Sequence, residues 1–294
     1  MIKAISTGLN DQLEYGTKSD FSVRIWGTRG SIPCADKDFL TFGGNTSCVE
    51  VVCGKRGLVF DAGSGIHTLG KRLSENNPDG LVTDVFLSHT HHDHILGVPF
   101  FKPNFCGASK IRYWAGHLKD QDENLHDILC RFMQQPLFPV PPGIFMADVE
   151  FRDFVAGEDI EPFPDFTIKT APLVHPNGAT AYRVDYEGRS FCYVTDTEHK
   201  IGEPDQNILK LIEGADCVVY DCSFNDENFG NFIGWGHSTW QEGLRLCEAA
   251  GAKQLIPFHH SPSSDDSFLK EEEKRAQAIA PNTIFAREGM TIYL

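Results

Sequence analysis

Residues 86–99 read FLSHTHHDHILGVP, and the reading of this stretch decides the reading of the rest. The apolar run Val85, Phe86, Leu87 has the character of a buried strand end. It gives way to His89, His91, His92, Asp93 and His94. Such a crowd of imidazoles and a carboxylate packs no core as well as leucine would, and it is costly without a cation. His89 and His91 are separated by one residue, so an extended or looped backbone points both to one side. Asp93 and His94 fall where the chain turns into its next segment and face a second point in space. Imidazole nitrogen with carboxylate oxygen is a ligand set for zinc-type divalent ions. A lone H-x-H is as well read as a solvated loop; H-x-H-x-D-H directly after an apolar strand is not.

A single ion takes about four ligands, and one short loop cannot wrap an ion with all of these groups. Partners are therefore sought at other strand ends. His175 follows the apolar pair in APLVHPNG, Asp196 ends FCYVTD, and His259 and His260 end LIPF. Taken singly, a histidine there is a hydrogen-bonded surface residue and an aspartate a turn former. Repetition of one plan, apolar strand then ligand, puts them together at the mouth of the predicted sheets.

Around these anchors the chain alternates strands and helices in two stretches separated by the stiff apolar loop at 136–147, PLFPVPPGIFMA. The first stretch is expected to hold strands near 21–26, 48–53, 58–60, 85–87 and 110–114, a helix through about residue 75, and an amphipathic helix within 118–137. The second is expected to hold strands near 149–151, 166–170, 179–186, 190–195, 217–220, 254–257, 283–286 and 290–293, with helices near 204–213, 239–250 and 265–279. This pattern predicts an α/β protein with two β/α halves packed as one domain over 21–294, preceded by an extension over 1–20. Residues 65–71 nearly match the phosphate-cradling G-x-x-x-x-G-K-[ST], but Arg72 replaces the hydroxyl residue and the Gly70-Lys71 pair falls inside a predicted helix.

Composition narrows the class. No run of 18 apolar residues is present, so no spanning helix is expected. The first 20 residues have no apolar core segment and do not read as a secretory signal. Nine scattered cysteines without a C-x-x-C pair read as reduced thiols, hence a cytoplasmic protein. The net charge of −15 disfavours a nucleic-acid backbone as partner unless a local basic patch overrides it.

Asp61, the HTHHDH run at 89–94, His175, Asp196 and His259 occur in an order that resembles the metallo-β-lactamase superfamily. Gly236-His237-Ser238-Thr239 and the run LIPFHHSP at 255–262 resemble its phosphodiesterase branch, which includes ribonuclease Z and the cyclic-phosphate phosphodiesterases. The likeness covers about residues 21–294 and implies an αββα four-layer sandwich around two divalent metal ions. Zinc is the first expectation; manganese and iron suit the same ligands. On this resemblance His89, His91 and His175 hold one ion, Asp93, His94 and His259 the other, and Asp196 bridges. Asp93 thereby also enters catalysis, Asp61 orients a ligand histidine, and His260 stands where the branch has an apolar residue.

Charge counting agrees with the phosphodiester branch. Two divalent ions less Asp93, Asp196 and a bridging hydroxide leave one net positive charge, suited to an anionic diester attacked by that hydroxide. His237 is the candidate general acid for the leaving oxygen. The pattern Thr239-x-x-Glu242 starts a helix just after it, where an anion is favoured. Asp221 in VVYDCSF matches a glutamate of the branch and is one methylene shorter, so its pairing with His237 is an open expectation.

Three rivals are carried. A thioesterase of the glyoxalase II kind shares the histidine motif but adds a helical domain, for which the 35 residues after His259 leave no room. A non-catalytic binding or dimerisation module with a degenerate metal-binding site would purify without stoichiometric metal. A tRNA 3′-processing nuclease needs a basic track; the basic arm of that family is not found, and Lys102, Lys110, Arg112 and Lys119 are the place to look for a substitute. Phe224, Phe229, Phe232 and Trp235 sit instead in a glycine-spaced loop before His237, suited to stacking on a base. The expected substrate is a small anionic phosphodiester such as a cyclic nucleotide, and the expected assembly is a homodimer.

Overall fold

The computed structural model describes residues 5–6, 20–164 and 166–294. One eight-stranded sheet runs β1 (Ile5–Ser6), β14 (Thr291–Tyr293), β2 (Phe21–Gly27), β3 (Cys48–Cys53), β4 (Arg56–Phe60), β5 (Val82–Leu87), β6 (Lys110–Ala115), β7 (Asp148–Asp153). The second, six-stranded, runs β13 (Leu255–Phe258), β12 (Cys217–Asp221), β11 (Arg189–Val194), β10 (Ala179–Tyr186), β9 (Phe166–Leu173), β8 (Ile160–Phe163). The helices are α1 (Ile66–Asn76), α2 (His92–Ile95), α3 (Leu125–Phe132), α4 (Gln206–Leu211), α5 (Trp240–Ala250) and α6 (Asp266–Ile279).

Side-chain alternation fixes the layers. Phe60, Phe86, Phe191, Tyr193 and Val219 point into the core between the sheets. Their neighbours Val59, Val85 and Leu87 face a core shared with α1 and α3. Cys192, Val194, Val218 and Tyr220 face a third core shared with α4, α5 and α6. Central strands buried on both faces explain the near-continuous apolar runs FCYV and CVVY, each such side chain contributing about 1.5–3 kcal/mol of burial. The result is the expected αββα sandwich.

Local chemistry sets the boundaries. Thr239 caps α5 by accepting the Glu242 N–H at 3.1 Å, as its pattern predicts, while the Glu242 carboxylate takes Arg245 at 2.6 Å. Gly70 lies inside α1, where a Cβ would stand 2.8 Å from the Phe101 ring; this glycine serves helix packing, not phosphate binding. The helix expected within 118–137 is shorter. Asp122 takes a left-handed conformation at φ 55°, and Asn124 caps α3 by accepting the Asp127 N–H at 2.9 Å. Residues 283–286 form no ladder strand. Ile284 and Ala286 donate to Leu255 and Pro257 of β13 at 3.4 and 2.8 Å, but Pro257 has no N–H to offer.

Strand β1 pairs antiparallel with β14, Ile5 opposite Ile292; the remainder of the 1–20 extension up to residue 19 lies outside the described residues. Among the described residues no helix is long and apolar enough to cross a membrane. All nine cysteines are free thiols.

Candidate metal centre

The side chains singled out in the sequence gather where strands end. Asp61 follows β4, His89 comes two residues after β5, and Asp93 and His94 lie on α2. His175 follows β9, Asp196 follows β11, and His259 follows β13. β4, β5 and β6 are parallel, as are β11, β12 and β13, so their carboxyl ends share a rim, the usual place for a site in such sheets. Asp61, Asp196 and His259 all have positive φ, 61°, 57° and 58°. Strain of this kind gathers at functional sites, and here it swings each side chain off its strand into the rim.

Two ligand sets result. The nitrogens of His89, His91 and His175 lie within 4.8 Å of one another, and so do the donor atoms of Asp93, His94 and His259. Asp196 lies between them. Its Oδ2 is 3.7 Å from His89 Nε2 and 3.8 Å from His175 Nε2; its Oδ1 is 3.3 Å from both His94 Nε2 and His259 Nε2. Asp93 Oδ2 stands 3.3 Å from His94 Nε2 and 3.2 Å from His259 Nε2.

The opposite edge of four of the five imidazoles is anchored, while His91 turns its Nδ1 toward His175 Nε2 at 3.0 Å. His94 Nδ1 donates to Asp61 at 2.8 Å and His175 Nδ1 to the Gly236 carbonyl at 2.7 Å. Ser88 Oγ lies 3.0 Å from His89 Nδ1, and Ser223 Oγ lies 3.1 Å from His259 Nδ1. Such anchors fix the ring and leave Nε2 as a lone pair toward the centre. His89 Nε2 is buried with no hydrogen-bond partner, a costly arrangement unless a cation receives it. The donor set therefore fits two divalent ions.

Charge follows the same division. Burial and the neighbouring imidazoles hold His89 well below its ordinary pKa, and burial with His175 brings His91 down to about 4. His175 is lowered too, chiefly by burial. All three shifts favour the neutral form that a metal ligand requires. Burial opposes protonation of His94 as well, but Asp196, Asp93 and Asp61 outweigh it and raise its pKa. Burial likewise opposes ionisation of Asp93 and Asp196, yet the surrounding histidines hold both carboxyls below the usual range.

His237 and Asp221 do meet: His237 Nδ1 is 2.9 Å from Asp221 Oδ2. The shorter side chain reaches because Asp221 ends β12 at the rim and is itself held by the N–H groups of Thr197 and Ser223. Against the cost of burial, Asp221, Asp196 and Asp93 lift the pKa of His237 to about 9. Its ring stacks on His259 with centroids 4.9 Å apart. His92 points away and lies against Phe132. His260 is buried, pairs with the Ala286 carbonyl and stacks on Phe285, so it acts as the apolar residue it replaces.

Ser31, Tyr193 and Ser223 belong to the site without having been singled out. The Ser31 N–H donates to Asp93 at 2.7 Å and the Tyr193 hydroxyl to Asp61 at 2.8 Å. Tyr193 reads as core in the strand FCYV, and Ser31 as plain loop in GTRGSIP; only the alternation that turns Tyr193 inward carried a signal.

A family model described as a beta-lactamase superfamily domain matches residues 56–260. The chain belongs to the metallo-β-lactamase superfamily. Within this superfamily, ribonuclease Z of Gemmatimonas aurantiaca is 22% identical over 323 residues, covering 92% of this chain and 95% of that protein. Among solved structures, the metallo-β-lactamase fold protein YhfI of Bacillus subtilis is similar, with TM-score 0.68 and 19% identity over 93% of this chain and 99% of its own. Human tRNase Z, short form, superimposes with TM-score 0.64 and 21% identity over 92% of this chain and 98% of its own. The superfamily chemistry is metal-dependent hydrolysis, and the phosphodiesterase branch is the one matched.

A cleft of about 420 Å³ opens beside His237, lined by Phe224, Phe232, Trp235, Phe268 and the serines 31, 223, 261, 263 and 264. Phe224 and Phe232 are stacked 4.2 Å apart, and Trp235 meets Phe232 edge-on at 5.3 Å. Phe229, grouped with them in the sequence reading, is instead buried against His199 at 4.1 Å. Of the suggested basic track, Lys110 is paired with Glu150 and Asp148, and Arg112 with Asp84 at 2.6 Å.

Proposed function

We propose that this protein hydrolyses small phosphodiesters, cyclic nucleotides being the class best matched, with His89, His91 and His175 holding one divalent ion, Asp93, His94 and His259 the other, and Asp196 shared. When bound, two such ions supply Lewis-acid polarisation of a phosphoryl group and an activated water at neutral pH. The residues of the chain do the rest. His237 gives its Nδ1–H to Asp221, which fixes the ring and keeps Nε2 for the leaving oxygen. The aromatic wall formed by Phe232 and Trp235 receives the organic group of the ester.

The observation that carries the choice of substrate is the cleft: aromatic rings and hydroxyls line it, with no lysine or arginine. A small monoanion needs only the metal centre and feels the −15 surface as a field screened beyond about 8 Å. A tRNA would lay many phosphates across that surface. The second reading, tRNA 3′-end processing, is favoured by the likeness to ribonuclease Z. Metal-loaded protein is offered cyclic nucleotides, an activated nitrophenyl diester, a precursor tRNA and a β-lactam. The proposal expects turnover of the activated diester and at least one cyclic nucleotide, little of the tRNA, and none of the lactam. Efficient 3′ cleavage of the tRNA at physiological salt would overturn it in favour of the second reading.

A further inference from the structure

Glu198 stands two residues beyond Asp196 and outside both ligand sets. Its main-chain N–H donates to the Val174 carbonyl at 2.7 Å, immediately before His175. Its carboxylate Oε2 accepts two further main-chain N–H groups, from Gly234 at 2.7 Å and from Gly236 at 2.8 Å. The Gly236 carbonyl in turn receives His175 Nδ1, and His237 is the next residue. Trp235, between the two bonded amides, is 62% exposed and walls the cleft. Apart from the Trp235 contact with Phe232, the turn has no side chain to stiffen it, since both flanking residues are glycines with positive φ, 92° and 83°. Charge-assisted bonds from one carboxylate to two amides are the stronger kind, and they tie the segment after β11 to the turn that carries three features of the site.

We propose that Glu198 is a positioning residue, a latch on residues 234–236 that keeps His175 and His237 in register and Trp235 against the cleft. The inference uses the proposed phosphodiesterase activity only for one of its readouts. A carboxylate that merely closed a surface turn would leave the centre indifferent to its loss.

The test compares Glu198→Ala with Glu198→Gln in the zinc-loaded protein, reading amide exchange, zinc content, and kcat and KM on an activated nitrophenyl diester. In Glu198→Ala the Gly234 and Gly236 amides should exchange at least about tenfold faster while β12 keeps its protection. Zinc at saturation should be unchanged. The kcat should fall by roughly 10²-fold, the order expected for a small misplacement of catalytic groups, with a smaller change in KM. Glu198→Gln keeps an oxygen able to accept both N–H groups and should stay within about fivefold of the parent. Unchanged exchange in Glu198→Ala would overturn the latch, faster exchange with unchanged kcat would overturn the positioning role, and so would a glutamine variant as impaired as the alanine one. The exchange arm does not depend on the ester cleaved. An unsubstituted protein inert toward every diester would therefore refute the proposed function while the latch stood or fell on exchange.

Discussion

Replacing Asp61 by Asn tests the logic of the centre at one buried carboxylate. Asp61 Oδ1 accepts the Ser88 N–H at 2.7 Å; Oδ2 accepts the Tyr193 hydroxyl and His94 Nδ1, both at 2.8 Å. The Ser88 hydroxyl sits between the two oxygens. An asparagine must place its NH₂ on one side. Against the Ser88 amide two donors would face each other with no remedy. The NH₂ therefore turns toward Tyr193, whose hydroxyl can rotate to accept, and toward His94, which accepts only by moving its proton to Nε2. That proton then points at Asp93, His259 and Asp196, and the lone pair of one ligand is lost. Undoing the wrong tautomer costs about 1–3 kcal/mol, the penalty of a buried unpaired group, or about 5- to 150-fold in affinity. Competition with a chromophoric chelator should show the second zinc weakened by about 10- to 100-fold and the first, held by His89, His91 and His175, almost unaffected. Two unchanged affinities would refute the tautomer argument; equal loss of both would show that the sets are not separable.

Other substitutions probe other parts. Asp196→Ala should abolish binding of both ions, since one carboxylate oxygen faces each set; elemental analysis decides. His237→Ala should keep both ions and lower turnover by roughly 10²–10⁴, with a smaller loss on nitrophenyl esters, whose leaving group needs no proton; equal losses on good and poor leaving groups would contradict a general-acid role. Gly236→Ala would put a Cβ 2.3 Å from His175 Nδ1 at φ 83°, and zinc titration should show the first set weakened by about tenfold or more.

Much of the centre was readable because its ligands obey a local rule. An apolar strand ends, and a histidine or aspartate follows close behind, as at His175, Asp196 and His259. The order of strands and helices likewise showed an α/β protein in two halves, while the four-layer sandwich was implied by the family resemblance. The remainder depends on contacts between segments far apart in the chain. Ser31 reaches Asp93 across 62 positions, and its role lies in a main-chain N–H, which carries no residue identity. Asp221 was doubted for the lack of a methylene, but the distance to His237 is set by where β12 and the turn before α5 lie, not by side-chain length alone. Phe229 looked like part of an aromatic platform because glycine spacing does not say which rings turn inward. The strand expected at 283–286 failed on Pro257, a residue in the partner strand, which propensity along 283–286 could not reveal.

Stepwise metal loading of the chelator-stripped protein, with hydrolysis of an activated nitrophenyl phosphodiester followed at each addition, tests the dinuclear phosphodiesterase most directly. Two ions per chain should bind, and turnover should rise mainly with the second equivalent, because the Asp93, His94 and His259 set must be filled beside the first. Saturation at one ion, or no diester hydrolysis with both ions bound, would contradict it.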